Sequence, residues 1–414
     1  MAKNTLIKSD FNRSFGKLFS TGILVAVVGA IFVPIISRLY SPAELGGFQL
    51  LLSMVVVFSS VSSFRYEMAI VLPKKKYQSN ILLKVAIFCL FFSTVLFSIC
   101  FYFFSFIILS YFNAEELLPI SWVIPLCIVI SGGAQILQML LVSCSDFNQL
   151  SVNKASQSLV NNSFSALMGS FNPSVFSLAC SYMGSLLFVF VLTVLRLKKI
   201  KIKKKIGFKL MLRYLLKYKK FPTINTLSVF LNTISINLPV FVLSKSFSIE
   251  VVGIYMMASR LMDMPTSIIS SSFNQVFTKF AADDYNKSAE LLKIRYVDTF
   301  KKLSFFALFF VLFVWFFYFF DGYFLLGSQW EEVGEVMFIL AFSKAAQLLN
   351  SPLSSTLNIL NKQEVGLFLV FLFLVIRFLS LVVSEDYLMA IFYYSISTLC
   401  FYSIYNFMMF RLIK

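Results

Sequence analysis

The segment from Gly253 to Thr278 places polar and charged side chains inside an otherwise apolar stretch. At about 1.5 Å per residue, it is long enough to cross a hydrocarbon core of about 30 Å as one helix. A charge near the middle of a bilayer costs about 2.5–3.5 kcal/mol on insertion scales, so such side chains usually face water or a partner. The polar residues step by three and four and therefore share one helix face: Arg260, Asp263, Ser267, Ser271 and Asn274. This stripe predicts a surface that binds or conducts a polar ligand.

Two further stretches repeat the pattern. The polar positions are Lys344, Gln347, Ser351, Ser354, Asn358 and Asn361 in one, and Asn225, Ser228, Asn232 and Ser235 in the other. Serine and asparagine at this spacing also hydrogen-bond between packed helices, so a helix–helix seam remains an alternative for them. A seam rarely needs full charges, and Lys344 therefore favours a binding surface.

The intramembrane charges predict a cavity that suits an anion. Arg260, Lys344 and Arg377 against Asp263 leave a net charge of about +2 in the membrane, which suits a diphosphate. Two alternatives stay open: Arg377 could reach the headgroups with its long side chain, and Arg260 could form an ion pair with Asp263. Asp263 is the one carboxylate among these four charges.

Several kinds of catalytic site are excluded. The chain has no histidine, its six cysteines show no CxxC spacing, and no phosphate-binding GxxxxGK[ST] loop occurs. On the side of the membrane opposite the Lys- and Arg-rich connections, the loops stay within about fifteen residues. They are too short to form a catalytic domain. We therefore predict a protein that is not an enzyme and holds no cofactor or metal.

Composition indicates an integral membrane protein. Of 414 residues, 59% are hydrophobic and only 13% charged, whereas soluble domains are about 45–50% apolar and about 25% charged. The net charge of +17 lies in loops, where it records topology and not nucleic-acid binding.

Twelve apolar runs are long enough to span a bilayer as helices. They cover 15–37, 46–64, 81–109, 119–141, 152–172, 174–195, 222–244, 253–278, 303–327, 333–360, 364–383 and 387–410. Lysine and arginine concentrate in alternate connections, so the positive-inside rule places both termini in the cytoplasm. The predicted fold is an all-α membrane protein of about twelve transmembrane helices.

The basic segment 196–220 divides the chain into helix bundles at 1–195 and 221–414. It contains twelve Lys or Arg residues and no acid, which fits a cytoplasmic linker and also attraction to anionic headgroups. Glu44-x-x-Gly47 and Glu250-x-x-Gly253 enter corresponding spans 206 residues apart, which indicates a parallel repeat.

Several stretches resemble one family of membrane proteins. Ser37-Arg38-Leu39-Tyr40-Ser41-Pro42-Ala43-Glu44-Leu45-Gly46 and Arg65-Tyr66-Glu67-x-Ala69-Ile70-Val71-Leu72-Pro73 are similar to stretches of the polysaccharide-biosynthesis flippases. Phe221-Pro222, and Tyr255-x-x-Ala258-x-Arg260 through Gln275-Val276-Phe277, are similar to the second half of those proteins. The chain thus resembles the O-antigen (Wzx-type) flippases of the multidrug/oligosaccharidyl-lipid/polysaccharide exporter superfamily over its whole length.

The resemblance implies two six-helix bundles around a central cavity in a bacterial inner membrane. It also implies an undecaprenyl diphosphate-linked oligosaccharide of O-antigen or capsule, for lipopolysaccharide or polysaccharide biosynthesis, moved from the cytoplasmic to the outer leaflet. Arg260 would bind the diphosphate or acidic sugars, and Arg65 would lie at the cytoplasmic mouth. The binding residues would be Arg260, Lys344, Arg377, Arg65, Asn225, Asn232 and Gln347, with Asp263 coupling the ion. Expected partners are this substrate, membrane lipids, a polysaccharide polymerase and a chain-length regulator.

The proposed mechanism is alternating access, in which the two bundles rock about the 196–220 linker. One alternative is a MATE-like small-molecule exporter. Such an exporter predicts several carboxylates within the membrane, whereas this sequence places one, Asp263, there against three cations. Another is a polymerase- or ligase-type membrane enzyme, which predicts a large outer loop with catalytic residues.

Overall fold

The computed structural model describes residues 2–73, 76–144, 146–197, 207–219, 221–285, 287–320, 322–360 and 362–413. Within these ranges, side-chain surroundings are described from residue 20 onward, except at 76, 208, 224, 275, 279, 322, 323, 358 and 363. Of the sequence features above, Gln275, Asn358, Asn361 and residues 198–206 and 220 of the basic segment lie outside that description.

Twelve helices of at least eighteen residues form the described part of the chain, one for each predicted run. They are α1 Ala2–Leu39, α2 Pro42–Ser59, α3 Lys76–Tyr111, α4 Val123–Ser143, α5 Phe147–Phe171, α6 Val175–Leu197, α7 Thr226–Ser246, α8 Ile249–Tyr285, α9 Ala289–Phe319, α10 Glu331–Leu353, α11 Gln363–Val382 and α12 Tyr387–Leu412. Short helical turns connect some of them at Tyr66–Ala69, Glu115–Ile120, Phe208–Lys217, Phe221–Asn225, Gly322–Leu325, Ser328–Trp330 and Ser355–Ile359. The helices satisfy backbone hydrogen bonds internally, which the hydrocarbon interior requires.

Ten of these helical stretches, among the described residues, are also apolar enough to span a membrane. The two long helices outside that group are α5 and α8. Asparagine and serine dilute α5, and the polar stripe dilutes α8. The all-α, multi-pass membrane class is confirmed, whereas the cytoplasmic position of the termini stays a prediction.

The helices start where local residues can satisfy their first backbone N–H groups. Before α2, the backbone N–H of Ser41 donates to Glu44 Oε2 at 2.7 Å, and the Glu44 N–H donates to Ser41 Oγ at 3.3 Å. This is a reciprocal capping box, followed by a proline at the first helical position. Ser248 accepts from the Val251 N–H at 3.3 Å before α8.

The chain forms two compact units. Unit 1 comprises residues 1–32 and 47–237, and unit 2 comprises residues 33–46 and 238–414. The segment 33–46 therefore groups with the second half of the chain. The predicted division at the 196–220 linker stays a prediction.

In unit 1, α3 packs against α4, α4 against α6, and α5 against α6. Its core joins α3 and α4 to the short helix Tyr66–Ala69, with Tyr66, Ile70, Leu82 and Ile136 buried. A polar seam also crosses this unit, because Asn153 Nδ2 donates to Thr193 Oγ1 at 2.7 Å between α5 and α6. That is the helix–helix hydrogen bonding expected for polar residues at a packed seam.

In unit 2, α10 is the central helix and packs against α8, α9 and α12. Hydrogen bonds join the segment 33–46 to residues just before α10. Ser37 O accepts from Trp330 Nε1 at 2.7 Å and from Gln329 Nε2 at 2.6 Å. Trp330 is fully buried, and Ser37 Oγ donates to Leu326 O at 2.9 Å.

Within unit 2, the first residues of α2, 42–46, meet the first turn of α8 with their backbones in contact. A Cβ added to Gly46 would lie 1.9 Å from Ile249 O, and one added to Gly253 would lie 1.9 Å from Pro42 O. The two contacts mirror each other, four residues apart on each helix, as small residues allow at close helix crossings. The structural equivalents are therefore 207 residues apart, with Ser41 matching Ser248 as cap. The 206-residue register expected from Glu-x-x-Gly is wrong by one residue.

Candidate functional site

Most of the exposed side chains of α8 are polar, although Val276 and Phe280 are exposed as well. Asp263, Ser267, Ser271 and Thr278 are all exposed, whereas Met257, Met262, Thr266 and Phe277 on the other side are buried. On α9 of the same unit the opposite holds, because the exposed face carries Phe305, Leu308, Phe309, Leu312, Phe313 and Phe316. Apolar exposed faces suit contact with lipid chains, whereas an exposed polar face within a membrane-length helix suits water. The α8 stripe therefore has the character of a wall lining an aqueous path.

An ion pair joins this stripe to the central helix. Lys344 Nζ of α10 lies 2.7 Å from Asp263 Oδ1 of α8. The Lys344 side chain is only 13% exposed, whereas that of Asp263 is 52% exposed. The ammonium group of Lys344 is thus largely enclosed by the helices of unit 2, whereas the carboxylate of Asp263 is exposed. Another anion could therefore displace this carboxylate and pair with the largely buried ammonium.

Arg260 and Gln347 extend this charged region by one helical turn on each helix. Arg260 lies three residues before Asp263 on α8, and Gln347 lies three residues after Lys344 on α10. Both side chains are half-buried. We call Arg260, Asp263, Lys344 and Gln347 the α8–α10 charged site.

Arg377 occupies a different position, inside the helix bundle. It is 5% exposed, and its guanidinium carbon lies 4.6 Å from the ring centre of Phe401, 5.6 Å from Tyr402 and 6.0 Å from Tyr394. All three rings belong to α12, which packs against α11. Cation–π attraction is strongest when the charge is desolvated, so these rings stabilise a buried arginine. This aromatic cage of Tyr394, Phe401 and Tyr402 explains how the bundle accommodates a buried cation on α11.

Sequence reasoning did not single out Tyr394 and Tyr402 as partners of Arg377. Both tyrosines lie within an apolar run of α12, and that run contains no charged residue until Arg411. Only a helix packed alongside α11 could bring their rings to the guanidinium. Their aromatic character was visible in the sequence, but their partner was not.

The site residues of unit 1 are arranged separately. Arg65 Nη1 lies 3.1 Å from Glu67 Oε1, and the Glu67 side chain is 2% exposed. Ser63 Oγ also donates to Glu67, and Phe64 and Arg65 both adopt left-handed backbone conformations, with φ of 49° and 58°. These residues thus build a strained turn around a buried carboxylate. Arg65 contributes to the structure of this turn.

Asn225 and Asn232 are both exposed on the stretch that leads into and along α7. Asn225 ends a single π-helical turn that begins at Phe221 and contains Pro222. Such turns inside longer helices often occur at functional positions. The eight predicted residues therefore divide between the units: Arg260, Asp263, Lys344, Gln347 and Arg377 in unit 2, and Arg65, Asn225 and Asn232 in unit 1.

Comparison with known proteins identifies both a family and a fold. The model of the polysaccharide biosynthesis protein family matches residues 35–335. The chain is similar in structure to the inward closed conformation of the lipid II flippase MurJ, with a TM-score of 0.72 and 14% identity over 94% of this chain and 87% of that one. No curated protein matches the chain.

Two further structures share the fold. An inward-facing multidrug resistance MATE family transporter of the MOP superfamily matches with a TM-score of 0.67 and 14% identity over 96% of this chain and 94% of that one. A MOP superfamily transporter from Pyrococcus furiosus matches with a TM-score of 0.56 and 13% identity over 97% and 96%. These structural neighbours are transporters and a flippase, so the fold is that of membrane transport proteins. Together with the family match over most of its length, these findings show that the chain belongs to the polysaccharide biosynthesis protein family of multi-pass membrane proteins.

Proposed function

We propose that this protein is a flippase for an oligosaccharide linked to undecaprenyl diphosphate. It moves the repeat unit of an O-antigen or capsule from the cytoplasmic to the outer leaflet of a bacterial inner membrane. The family and the transporter fold support this assignment. The observation that carries it is the exposed polar face of α8, with Lys344 paired to an exposed Asp263.

The substrate chemistry explains why such a site is needed. A diphosphate cannot cross about 30 Å of hydrocarbon without compensation, because an unpaired charge in that medium is very costly. Arg260 and Lys344 would supply cations along the path, while the polyprenyl tail stays in the lipid. The binding must remain weak enough for release on the other side. Asn225, Asn232 and Gln347 would offer hydrogen bonds to the sugars. Arg65 pairs with Glu67 and Arg377 packs on the rings of α12, so we propose no direct contact of either arginine with the substrate.

The Asp263–Lys344 pair would exchange partners during the cycle. The arriving diphosphate competes with Asp263 for Lys344, and departure of the substrate restores the pair. For an inward proton or sodium gradient to drive outward movement of the substrate, the ion must return to the cytoplasm in the substrate-free half of the cycle, and Asp263 is the carboxylate that we propose carries it. Alternating access would carry this exchange from one side of the membrane to the other. A polysaccharide polymerase and a chain-length regulator would receive the delivered repeat unit.

The test uses proteoliposomes that contain lipid-linked oligosaccharide and the purified protein. A membrane-impermeant glycosidase reports the fraction of glycan in the accessible leaflet, with and without an imposed proton or sodium gradient. Arg260→Ala and Lys344→Ala are compared with Lys301→Ala, which removes an exposed lysine of α9. We expect transfer by the wild type and the control and a loss of at least tenfold in both site variants, since a charge-assisted contact is worth about 1.5–3 kcal/mol.

Two other outcomes would replace this assignment. Export of a cationic dye without movement of the glycolipid would indicate a MATE-like small-molecule exporter, which the fold also accommodates. A change in the mass of the recovered glycan would indicate a polymerase- or ligase-type enzyme. Equal transfer by all variants would remove the α8–α10 charged site from the mechanism.

A further inference from the structure

The helix Phe208–Lys217 of unit 1 lies between the last residue of α6 and the turn that leads into α7. It is only ten residues long, and both neighbouring helices are of membrane-spanning length. It is therefore placed by chain continuity at the end of two spans, where the bilayer meets water. Its two faces differ sharply in character.

The inner face is anchored to the core of unit 1. Met211, Tyr214, Leu215 and Tyr218 pack against the buried cluster that contains Tyr66. The Tyr66 hydroxyl donates to Leu215 O at 2.8 Å. Burial raises the pKa of Tyr66 to about 12, so this hydroxyl remains a donor throughout the physiological range. The helix is thus held in a fixed orientation.

The outer face combines cations with exposed leucines. Lys209, Arg213 and Lys217 are exposed at spacings of four, and Leu212 and Leu216 between them are 49% and 63% exposed. Spacings of three and four bring these five side chains onto one side of the helix. Residues 207–219 contain no acidic side chain. Lys217 Nζ lies 5.7 Å from the ring centres of Tyr214 and Tyr218, and these contacts leave its positive charge in place.

We propose that the outer face of Phe208–Lys217 binds anionic phospholipid, with the leucines among the upper acyl chains and the three cations at the phosphates. Interfacial helices bind in this way, with apolar side chains at the headgroup boundary and Lys or Arg on the polar side. The charge complementarity selects an anionic headgroup over a zwitterionic one. This site is separate from the α8–α10 charged site and does not rest on the flippase assignment.

The position of the helix gives lipid binding a structural consequence. The Tyr66 hydrogen bond ties the helix to the residue between Arg65 and Glu67. Anionic lipid that holds the helix at the surface therefore also stabilises the strained turn at Phe64 and Arg65. The lipid would act as a structural ligand of unit 1.

The experiment measures retention of lipid by the full-length protein with native mass spectrometry. Phosphatidylglycerol and phosphatidylcholine are titrated separately, and the ratio of their affinities is compared among variants. The test variant is Lys209→Gln/Arg213→Gln/Lys217→Gln. The matched control is Lys287→Gln/Lys301→Gln/Lys362→Gln, which removes three exposed lysines from unit 2. Each basic residue near an anionic surface contributes about fivefold in affinity, so we expect the preference for phosphatidylglycerol to fall at least tenfold in the test variant.

The control should keep the wild-type preference. Equal losses in both triple variants would show that net charge alone attracts the lipid and would overturn the proposal. A second measurement covers the case in which the test variant does not fold. Leu216→Trp is reconstituted with brominated phosphatidylglycerol or brominated phosphatidylcholine, at equal mole fraction in otherwise identical vesicles. After subtraction of the parent tryptophan signal, stronger quenching by the brominated phosphatidylglycerol supports the site, and equal quenching contradicts it.

Discussion

The glycine crossing of α2 and α8 predicts that adding a single methyl group at either helix will destabilise unit 2. In Gly46→Ala, the new Cβ would lie 1.9 Å from Ile249 O and 2.8 Å from the Gly253 nitrogen. In Gly253→Ala, it would lie 1.9 Å from Pro42 O and 2.7 Å from the Pro42 carbonyl carbon. Every one of these neighbours is backbone, which cannot rotate away. The helices must therefore separate by about 1.5 Å to reach ordinary van der Waals distance.

The size of the effect follows from two opposing contributions. Overpacking of a close contact costs about 1–3 kcal/mol or more, and a backbone clash belongs at the upper end of that range. Alanine in place of glycine in a helix contributes up to about 1 kcal/mol in favour of folding. We expect each single variant to lose about 2 kcal/mol or more. The double variant should lose less than the sum, because the first alanine opens the same contact that the second one needs.

The assay is the loss of the monodisperse peak on heating in detergent, followed at one fixed heating rate because unfolding of such proteins is commonly irreversible. Gly184→Ala in α6 is the matched control, since its added Cβ would meet nothing within 4 Å. The control should melt at or slightly above the wild-type temperature. Single variants at 46 and 253 that melt like the control would refute the close crossing. Strictly additive losses would refute the idea that both alanines act on one contact.

Three further predictions concern unit 2. Asp263→Asn lowers stability by about 1–2 kcal/mol, because it leaves the largely buried Lys344 without its carboxylate. Adding Lys344→Gln should restore part of this loss, as measured by a double-mutant cycle of melting temperatures. Arg377→Lys lowers the melting temperature although the charge is kept, since a compact ammonium loses the planar stacking on the α12 rings; an unchanged temperature would contradict the aromatic cage. Trp330→Phe lowers the free energy of unfolding by about 1–3 kcal/mol, because the hydrogen bond to Ser37 O and part of the packing are lost. The rate of amide hydrogen exchange should then rise selectively in residues 33–46.

The sequence predicted the elements of this fold accurately because the signal for a membrane helix is local. Each of the twelve apolar runs corresponds to one long helix, since a continuous run of apolar residues must satisfy its own backbone in lipid. The polar stripe of α8 was also visible, and the structure exposes Asp263, Ser267 and Ser271 on that helix, whereas Arg260 and Asn274 are half-buried. Periodicity of three and four residues fixes which side chains share a face, whatever the neighbouring helices are.

Pairing between helices could not be predicted in the same way. The sequence offered Arg260 as a partner for Asp263 on the same helix, yet the structure brings Lys344 to Asp263 from α10, 81 residues away. The sequence also left Arg377 between a cavity and the headgroups, and the structure encloses it among aromatic rings of α12. Both contacts depend on which helices pack together and at what rotation.

The sequence by itself determined the membrane class, the twelve helices and the polar face of α8, because composition and periodicity act over one or two helical turns. Only the tertiary structure decided the Asp263–Lys344 pair, the enclosure of Arg377 and the 207-residue register of the glycine crossing. The register illustrates the physical reason. In the sequence the Glu-x-x-Gly pattern favours the 206-residue register, whereas in the structure Gly46 and Gly253, which have no Cβ, lie where the two backbones meet.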